Sequence, residues 1–104
     1  MDKWSIKIAS KFYKKLKRKF KIEKLILFGS RARGDNLKES DFDFIVVSKD
    51  FREIPFIFRA SELYDFWEEN VDIEPLCYTI EEFNKKKGQL GIVKTAVEEG
   101  VEIK

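Results

Sequence analysis

The feature that most constrains this chain is a glycine-serine turn placed between two apolar segments. The first segment, residues 22–28, is rich in Leu and Ile and is predicted to be a buried strand that ends at Gly29. Gly29 has no Cβ, so the backbone can turn sharply there and approach a ligand closely. Ser30 can cap the short helix predicted near residues 31–34, and its hydroxyl is free to contact a phosphate. The pattern therefore predicts a phosphate-binding turn at the end of a strand.

The second apolar segment, residues 41–48, carries two carboxylates. Asp41 and Asp43 alternate with Phe42 and Phe44, which places both carboxylates on one face of a strand, about 7 Å apart. Two carboxylates this close repel each other unless a cation lies between them or one takes up a proton. Mg²⁺ prefers oxygen ligands and is usually held by one or two carboxylates together with substrate phosphates. A magnesium site next to the turn is therefore expected.

The rest of the chain predicts one small α/β domain in the order α-β-(short α)-β-α-β-α-α-β. Residues 1–104 have the length of a single domain. Apolar spacing predicts helices over residues 3–19, 55–69 and 92–99, a helix from residue 80 that is interrupted at Gly88 or Gly91, a third strand over 71–78 and a short edge strand over 101–103. The sequence Thr79-Ile80-Glu81-Glu82 has the spacing of a capping box, which places a helix start at Ile80.

Composition excludes several kinds of chemistry. The chain has no histidine, which excludes His-based zinc sites and Ser-His or Cys-His catalytic pairs. Its single cysteine, Cys77, cannot form an internal disulfide, which fits a reducing cytoplasm. No apolar run is long enough to span a membrane, and the first residues show no signal-peptide pattern. A cytoplasmic protein without a membrane partner is expected.

Basic residues are concentrated in the first third of the chain, although the formal net charge is only +2. The cluster consists of Lys11, Lys14, Lys15, Lys17, Arg18, Lys19, Lys21 and Lys24. It is typical either of a surface for nucleic acid or an acidic partner, or of the solvated face of an amphipathic helix. The solvated face is favoured, because the turn and the carboxylates account for function without the cluster.

A second acidic pair, Asp72 and Glu74, lies on the predicted third strand. If that strand lies beside the second strand, these carboxylates join Asp41 and Asp43 at one edge of the sheet. Three acidic groups can hold two Mg²⁺ ions about 3.5–4 Å apart, one activating a hydroxyl and one bridging nucleotide phosphates. Such a site performs phosphoryl-type transfer by positioning and electrostatics.

Three segments together resemble the minimal nucleotidyltransferase family, the smallest branch of the DNA polymerase β-like superfamily. They are Gly29-Ser30-Arg31-Ala32-Arg33-Gly34, Ser40-Asp41-Phe42-Asp43-Phe44 and Val71-Asp72-Ile73. The resemblance implies a polymerase β-like palm, in which a small mixed sheet is flanked by helices, and residues 1–104 as one minimal nucleotidyltransferase domain. It also implies a two-ion Mg²⁺ site with ATP as substrate.

The resemblance assigns roles to individual residues. Gly29 and Ser30 correspond to the turn that holds the nucleotide phosphates. Asp41 and Asp43 correspond to the two metal-bridging carboxylates. Asp72 corresponds to the third carboxylate, which binds the catalytic metal.

Two assignments stay open at this point. Glu74 competes with Asp72 for the third carboxylate, and Asp72 is preferred because apolar residues flank it on both sides whereas a proline follows Glu74. Arg33 either contacts phosphate or ties the loop to nearby carbonyls, and Arg31 is equally undecided.

The family also implies a partner. Minimal nucleotidyltransferases are commonly paired with a HEPN-type helical toxin, and the nucleotidyltransferase acts as the antitoxin by adding AMP from ATP to a tyrosine of that partner. Larger superfamily members have an added domain, for which residues 1–104 are expected to leave no room, so a partner or a second copy is expected to complete the site. The alternative is a non-catalytic antitoxin that neutralises its partner by contact and carries a vestigial site.

Overall fold

The computed structural model describes residues 3–104. In chain order its regular elements are α1 (Lys3–Leu16), β1 (Ile22–Phe28), α2 (Ser30–Arg33), β2 (Phe42–Ser48), α3 (Phe56–Arg59), β3 (Ile73–Tyr78), α4 (Ile80–Lys86), α5 (Ile92–Glu99) and β4 (Val101–Glu102). Short 3-10 turns at Lys49–Glu53, Ala60–Glu62 and Tyr64–Phe66 connect β2 to β3 on either side of α3. No helix in this part of the chain is long and apolar enough to cross a membrane.

The four strands form one mixed sheet in the order β3-β2-β1-β4. β1 is antiparallel to both β2 and β4, whereas β2 and β3 run parallel. β2 lies between two neighbours, as its Ile45-Val46-Val47 run predicts. Its pairing brings Phe28 of β1 and Glu74 of β3 to either side of Asp43.

The sheet is covered on both faces, because its central strands are apolar at successive positions. α1 packs its buried stripe, which includes Phe12 and Leu16, against Phe42, Phe44 and other residues of one face. α4 and α5 cover Ile26, Ile45 and Val47 on the opposite face through Phe83, Val93 and Ala96. The predicted small mixed sheet flanked by helices is confirmed. Asp43 shares a face with Ile45, so it lies on the α4 and α5 side of the sheet.

The capping box at the start of α4 is also confirmed. The hydroxyl of Thr79 accepts a hydrogen bond from the backbone N–H of Glu82, and the Glu82 carboxylate accepts one from the backbone N–H of Thr79. The same carboxylate accepts a bond from the buried Arg59 guanidinium at 2.6 Å. Helix α4 is therefore fixed at its start to the segment that precedes β3.

The predicted helix over residues 55–69 is wrong, because only one turn of α-helix forms at Phe56–Arg59 before two 3-10 turns. Side-chain hydrogen bonds to backbone carbonyls fix the course of the chain in this segment. Arg59 donates to the carbonyls of Ile54 and Cys77, and Trp67 donates to the carbonyl of Val71 at 2.7 Å. These bonds attach the segment to Cys77 of β3 and to Val71, just before β3. Several other elements differ from their predicted bounds only at their ends; for example, α1 stops at Leu16 and β3 starts at Ile73.

Candidate active site

The site is built around Gly29, at the junction of β1 and α2. Gly29 has φ of 75° and ψ of −155°, a backbone conformation that favours glycine. A Cβ added at Gly29 would collide with the carboxylate of Asp43. The turn therefore packs directly against an acidic side chain of the neighbouring strand, whereas the close approach to a ligand that the sequence predicts stays a prediction.

Ser30 does not cap α2, contrary to the prediction. Gly29, with its positive φ, occupies the N-cap position, and Ser30 is the first helical residue. The carbonyl of Ser30 accepts hydrogen bonds from the backbone N–H groups of Gly34 at 2.9 Å and Asp35 at 3.2 Å. Its half-buried hydroxyl has no hydrogen-bond partner within residues 3–104 and is available to a ligand.

Asp43 and Glu74 form the acidic centre of the site. They face each other in the parallel register of β2 and β3. Partial burial raises the pKa of Asp43 to about 6, helped by the nearby Glu74 carboxylate, by a hydrogen bond to it and by the charge of Asp41, while Arg33 acts in the opposite direction. The repulsion predicted between neighbouring carboxylates is thus present, but Glu74 contributes more of it than Asp41.

Asp41 and Asp72 lie just outside the strands. Each comes directly before the first residue of its strand, and the carbonyl of Asp72 accepts a hydrogen bond from the N–H of Phe42 at 2.9 Å. Asp41 is half-buried and Asp72 is exposed. The backbone therefore brings Asp41 and Asp72 to one edge of the sheet. Glu74, the alternative third carboxylate, is the acidic residue that lies opposite Asp43 in the strand pairing.

The acidic side chains of the site are of the type that binds Mg²⁺. Among residues 3–104, no three Asp, Glu, Cys or His side chains are arranged as a metal-binding group by themselves. The available ligands are carboxylate oxygens, which Mg²⁺ prefers, and this ion normally completes its shell with water and substrate phosphates. A cation would also stabilise the ionised form of Asp43, whose pKa is raised by burial and by the neighbouring carboxylates.

The two arginines of the turn have different functions. Arg31 is buried, and its guanidinium donates to the carbonyls of Ser40 and Lys38 and to the hydroxyl of Ser5, at 2.8–3.1 Å. It also lies over the ring of Phe42, 4.3 Å from its centroid. Arg31 therefore ties the loop to the start of β2, the structural role that the sequence left open between Arg31 and Arg33.

Arg33 is exposed and makes an ion pair with Asp35, with 3.2 Å between Nε and Oδ2. The positive charge of Arg33 also acts on Asp43 and partly opposes the rise in the pKa of that carboxyl group. The side chain is not needed to hold the loop, so it is free to turn toward an anion. The position next to the turn fits the phosphate-contacting alternative.

Residues 9–103 match the sequence model of the nucleotidyltransferase domain family. The match covers the turn and all four acidic residues of the site. The chain belongs to the minimal nucleotidyltransferase family.

Named relatives agree with this assignment. The nucleotidyltransferase is 34% identical over 92 residues to a "putative protein adenylyltransferase" of Methanocaldococcus jannaschii, covering 88% of this chain and 86% of the relative. It is 31% identical over 88 residues to a protein adenylyltransferase of Thermococcus cleftensis, covering 85% and 81%. These relatives support nucleotidyltransferase activity.

A solved structure shows the same fold. The crystal structure of a "putative nucleotidyltransferase" from Sulfolobus solfataricus superposes with a TM-score of 0.66 at 27% identity, covering 95% of this chain and 78% of that one. The polymerase β-like fold expected from the sequence is therefore confirmed.

We expect Arg31→Met to lower the free energy of unfolding of this nucleotidyltransferase by about 2–4 kcal/mol, because it leaves the carbonyls of Ser40 and Lys38 without their donor. Urea denaturation measures the change. The matched control is Arg33→Met, which removes an exposed cation and should cost less than about 0.5 kcal/mol. Equal losses in the two variants would contradict the structural role of Arg31.

Asp43 makes the stability of the metal-free protein depend on pH. Its pKa is about 6 in the folded state against an ordinary value of 3.8, so the folded state binds the proton more tightly. The stability from this group is complete below about pH 4 and is lost as the pH rises through about 6. After allowance for solvent screening we expect a loss of roughly 1–2 kcal/mol.

The measurement is urea unfolding in EDTA across this pH range for the wild type and Asp43→Asn. The difference between the two proteins should grow between about pH 4 and 7 and then level off. Asp65→Asn, at an exposed position, serves as the control and should show no such trend. A constant difference for Asp43→Asn would refute the raised pKa.

Proposed function

We propose that this nucleotidyltransferase transfers AMP from ATP to a hydroxyl of a protein partner, using Mg²⁺ held by Asp41, Asp43 and a third carboxylate. The observation that carries the proposal is the contact between the Gly29 turn and the Asp43 carboxylate. It brings a phosphate-binding turn and a metal-binding carboxylate within one nucleotide's reach. The relatives named protein adenylyltransferases support AMP as the group and protein as the acceptor.

The residues of the proposed site have separate roles, which follow from their positions. The turn at Gly29 and Ser30 presents backbone N–H groups and a free hydroxyl to the phosphates. Arg33 supplies an exposed cation beside them. Asp41, Asp43 and either Asp72 or Glu74 would hold Mg²⁺, which would lower the pKa of the attacking hydroxyl and neutralise phosphate charge.

The transfer itself is a displacement at phosphorus. The acceptor oxygen forms a bond to the α-phosphorus as the bond to the pyrophosphate oxygen breaks, and pyrophosphate leaves. The hydroxyl proton passes to a carboxylate at the edge of the site. Glu74 is exposed and lies next to Asp43, so it is placed to accept that proton or to hold the metal.

The proposed partner is a HEPN-type helical toxin, with this protein as its antitoxin. The resemblance of the motifs to minimal nucleotidyltransferases supports this pairing. The exposed carboxylates Asp72 and Glu74 support it as well, since they leave the acceptor side of the site open to another protein.

The test is to incubate the purified protein with Mg²⁺, a HEPN-type partner and ATP labelled at the α-phosphate. We expect label on the partner, a mass increase of one AMP and a modified hydroxyl residue located by peptide sequencing. ATP labelled at the γ-phosphate is the control and should leave the partner unlabelled. Label from the γ-phosphate would assign the protein to phosphoryl rather than nucleotidyl transfer, and no label from either would reject both.

A second candidate function is neutralisation by contact alone. It is favoured by three consecutive exposed apolar residues, Phe56, Ile57 and Phe58, of which Ile57 is 79% exposed. Such a patch is typical of a binding surface. Asp41→Asn with Asp43→Asn separates the functions, because neutralisation by contact survives this change and neutralisation by AMP transfer does not.

A further inference from the structure

The strongest charge asymmetry of the molecule lies on α1 and the segment that follows it, away from the proposed site. Residues 3–21 contain nine of the 21 Lys and Arg residues and none of the 19 Asp and Glu residues. This segment therefore carries a formal charge of +9, and the rest of the chain carries −7. The small net charge of the whole protein hides this separation.

Part of the positive charge is neutralised along one flank of α1. Lys15 pairs with Glu68 at 2.8 Å and Lys19 with Glu62 at 3.6 Å. The hydrogen bond and charge of Lys15 lower the pKa of Glu68, with help from Lys11 and Arg18. These cations face the 3-10 segment before β3, so they have a structural explanation.

The outward face of α1 and of the turn that follows it has no such explanation. Four exposed lysines, Lys3, Lys7, Lys14 and Lys17, follow a spacing of three, four or seven residues and lie opposite the buried stripe. We call them the outer lysine stripe. Within residues 3–104 none of them makes an ion pair, and Lys17 only lies over the Tyr13 ring, 5.0 Å from its centroid.

We infer that the outer lysine stripe binds the phosphodiester backbone of a nucleic acid. The stripe extends over about 21 Å, from Lys3 to Lys17, at a rise of about 1.5 Å per residue. One strand of a duplex carries a phosphate every 3.4 Å or so, and six phosphates therefore lie along the stripe. Contacts of lysine with phosphate alone are sufficient for such binding, which is independent of base sequence.

Two other occupants fit the surface less well. The cores of protein interfaces are depleted in lysine and rich in aromatic side chains, and the stripe contains no apolar residue. A membrane-bound helix would need an exposed apolar face, whereas the apolar face of α1 is buried against the sheet. A nucleic acid backbone, which is an evenly charged polyanion, needs neither an aromatic surface nor an exposed apolar face for binding.

The stripe and the proposed active site lie on opposite faces of the sheet. α1 covers the face that contains Phe42 and Phe44, and Asp43 lies on the other face. Nucleic acid and nucleotide can therefore bind at the same time, and the stripe can be altered without touching the site.

The test is fluorescence anisotropy with labelled RNA duplex, single-stranded RNA and DNA duplex, each of about 18 bases or base pairs, roughly three stripe lengths. For the wild type we expect affinity for at least one probe to fall about 100-fold between roughly 50 and 200 mM salt, as four phosphate contacts require. The comparison among the three probes identifies the preferred nucleic acid.

The variant is Lys7→Glu with Lys14→Glu and Lys17→Glu, for which we expect at least about a 30-fold loss of affinity and a weaker salt dependence. Lys85→Glu with Lys87→Glu and Lys104→Glu is the matched control, since both triple variants change the net charge from +2 to −4. Circular dichroism checks that both fold. Equal losses of nucleic-acid affinity in the two triple variants would overturn the inference, as would the absence of wild-type affinity at low salt. Binding only to anionic lipid vesicles or to an acidic protein would also overturn it.

Discussion

Asp43→Asn is expected to reduce AMP transfer by at least about 10³-fold, while the protein stays folded. Asp43 is the carboxylate packed over the Gly29 turn and paired with Glu74, so no other acidic side chain can replace it at that point. The amide has nearly the same shape but cannot carry the negative charge that a magnesium ion requires. Initial rates of transfer to the partner measure the effect at saturating ATP.

Asp65→Asn is the matched control, because Asp65 is exposed on a 3-10 turn and takes no part in the site. It should leave the rate within a factor of about two of the wild type. Since neutralising Asp43 relieves repulsion, the variant should also unfold at a higher urea concentration in EDTA. Full activity in Asp43→Asn would remove the basis for the metal-dependent mechanism.

The second large effect concerns the third carboxylate. Glu74→Gln is expected to lower transfer about 10²–10³-fold, and Asp72→Asn by less than about 10-fold. The expectation follows from the register, which pairs Glu74 directly with Asp43, whereas Asp72 is exposed and precedes β3. The preference from the family motif, which favours Asp72, leads to the opposite ranking.

The two substitutions are matched controls for each other, since each replaces one exposed carboxylate by its amide near the same strand end. The magnesium dependence of the rate should be measured alongside, because losing a metal ligand raises the concentration required. A larger loss in Asp72→Asn would assign the third position to Asp72.

The sequence predicted the central part of the fold well because its signals there are local. Residues 25–28 and 44–47 are unbroken apolar runs within the two strands, and Thr79 and Glu82 form a capping box within four residues. The glycine predicts a close approach of the backbone to a ligand but not its packing against Asp43, because Asp43 reaches the turn through the pairing of two strands.

The errors have a different origin. The path of the segment after Pro55 depends on Arg59, which binds carbonyls 5 and 18 residues away, and no periodicity in the sequence reports such bonds. The functions of Arg31 and Arg33 were also undecided, since both are arginines two residues apart. Only burial separates them, and burial follows from how α1 and the loop before β2 pack together.

The position of Asp43 on β2 has a consequence for how the protein responds to heat. β2 is hydrogen-bonded to a strand on each side, and six of its seven residues are buried. Its amide protons should be among the slowest to exchange with solvent, opening only when the whole domain unfolds. Asp43 therefore lies on the strand that is expected to unfold last. The geometry of the proposed site around it should persist up to the melting temperature of the domain.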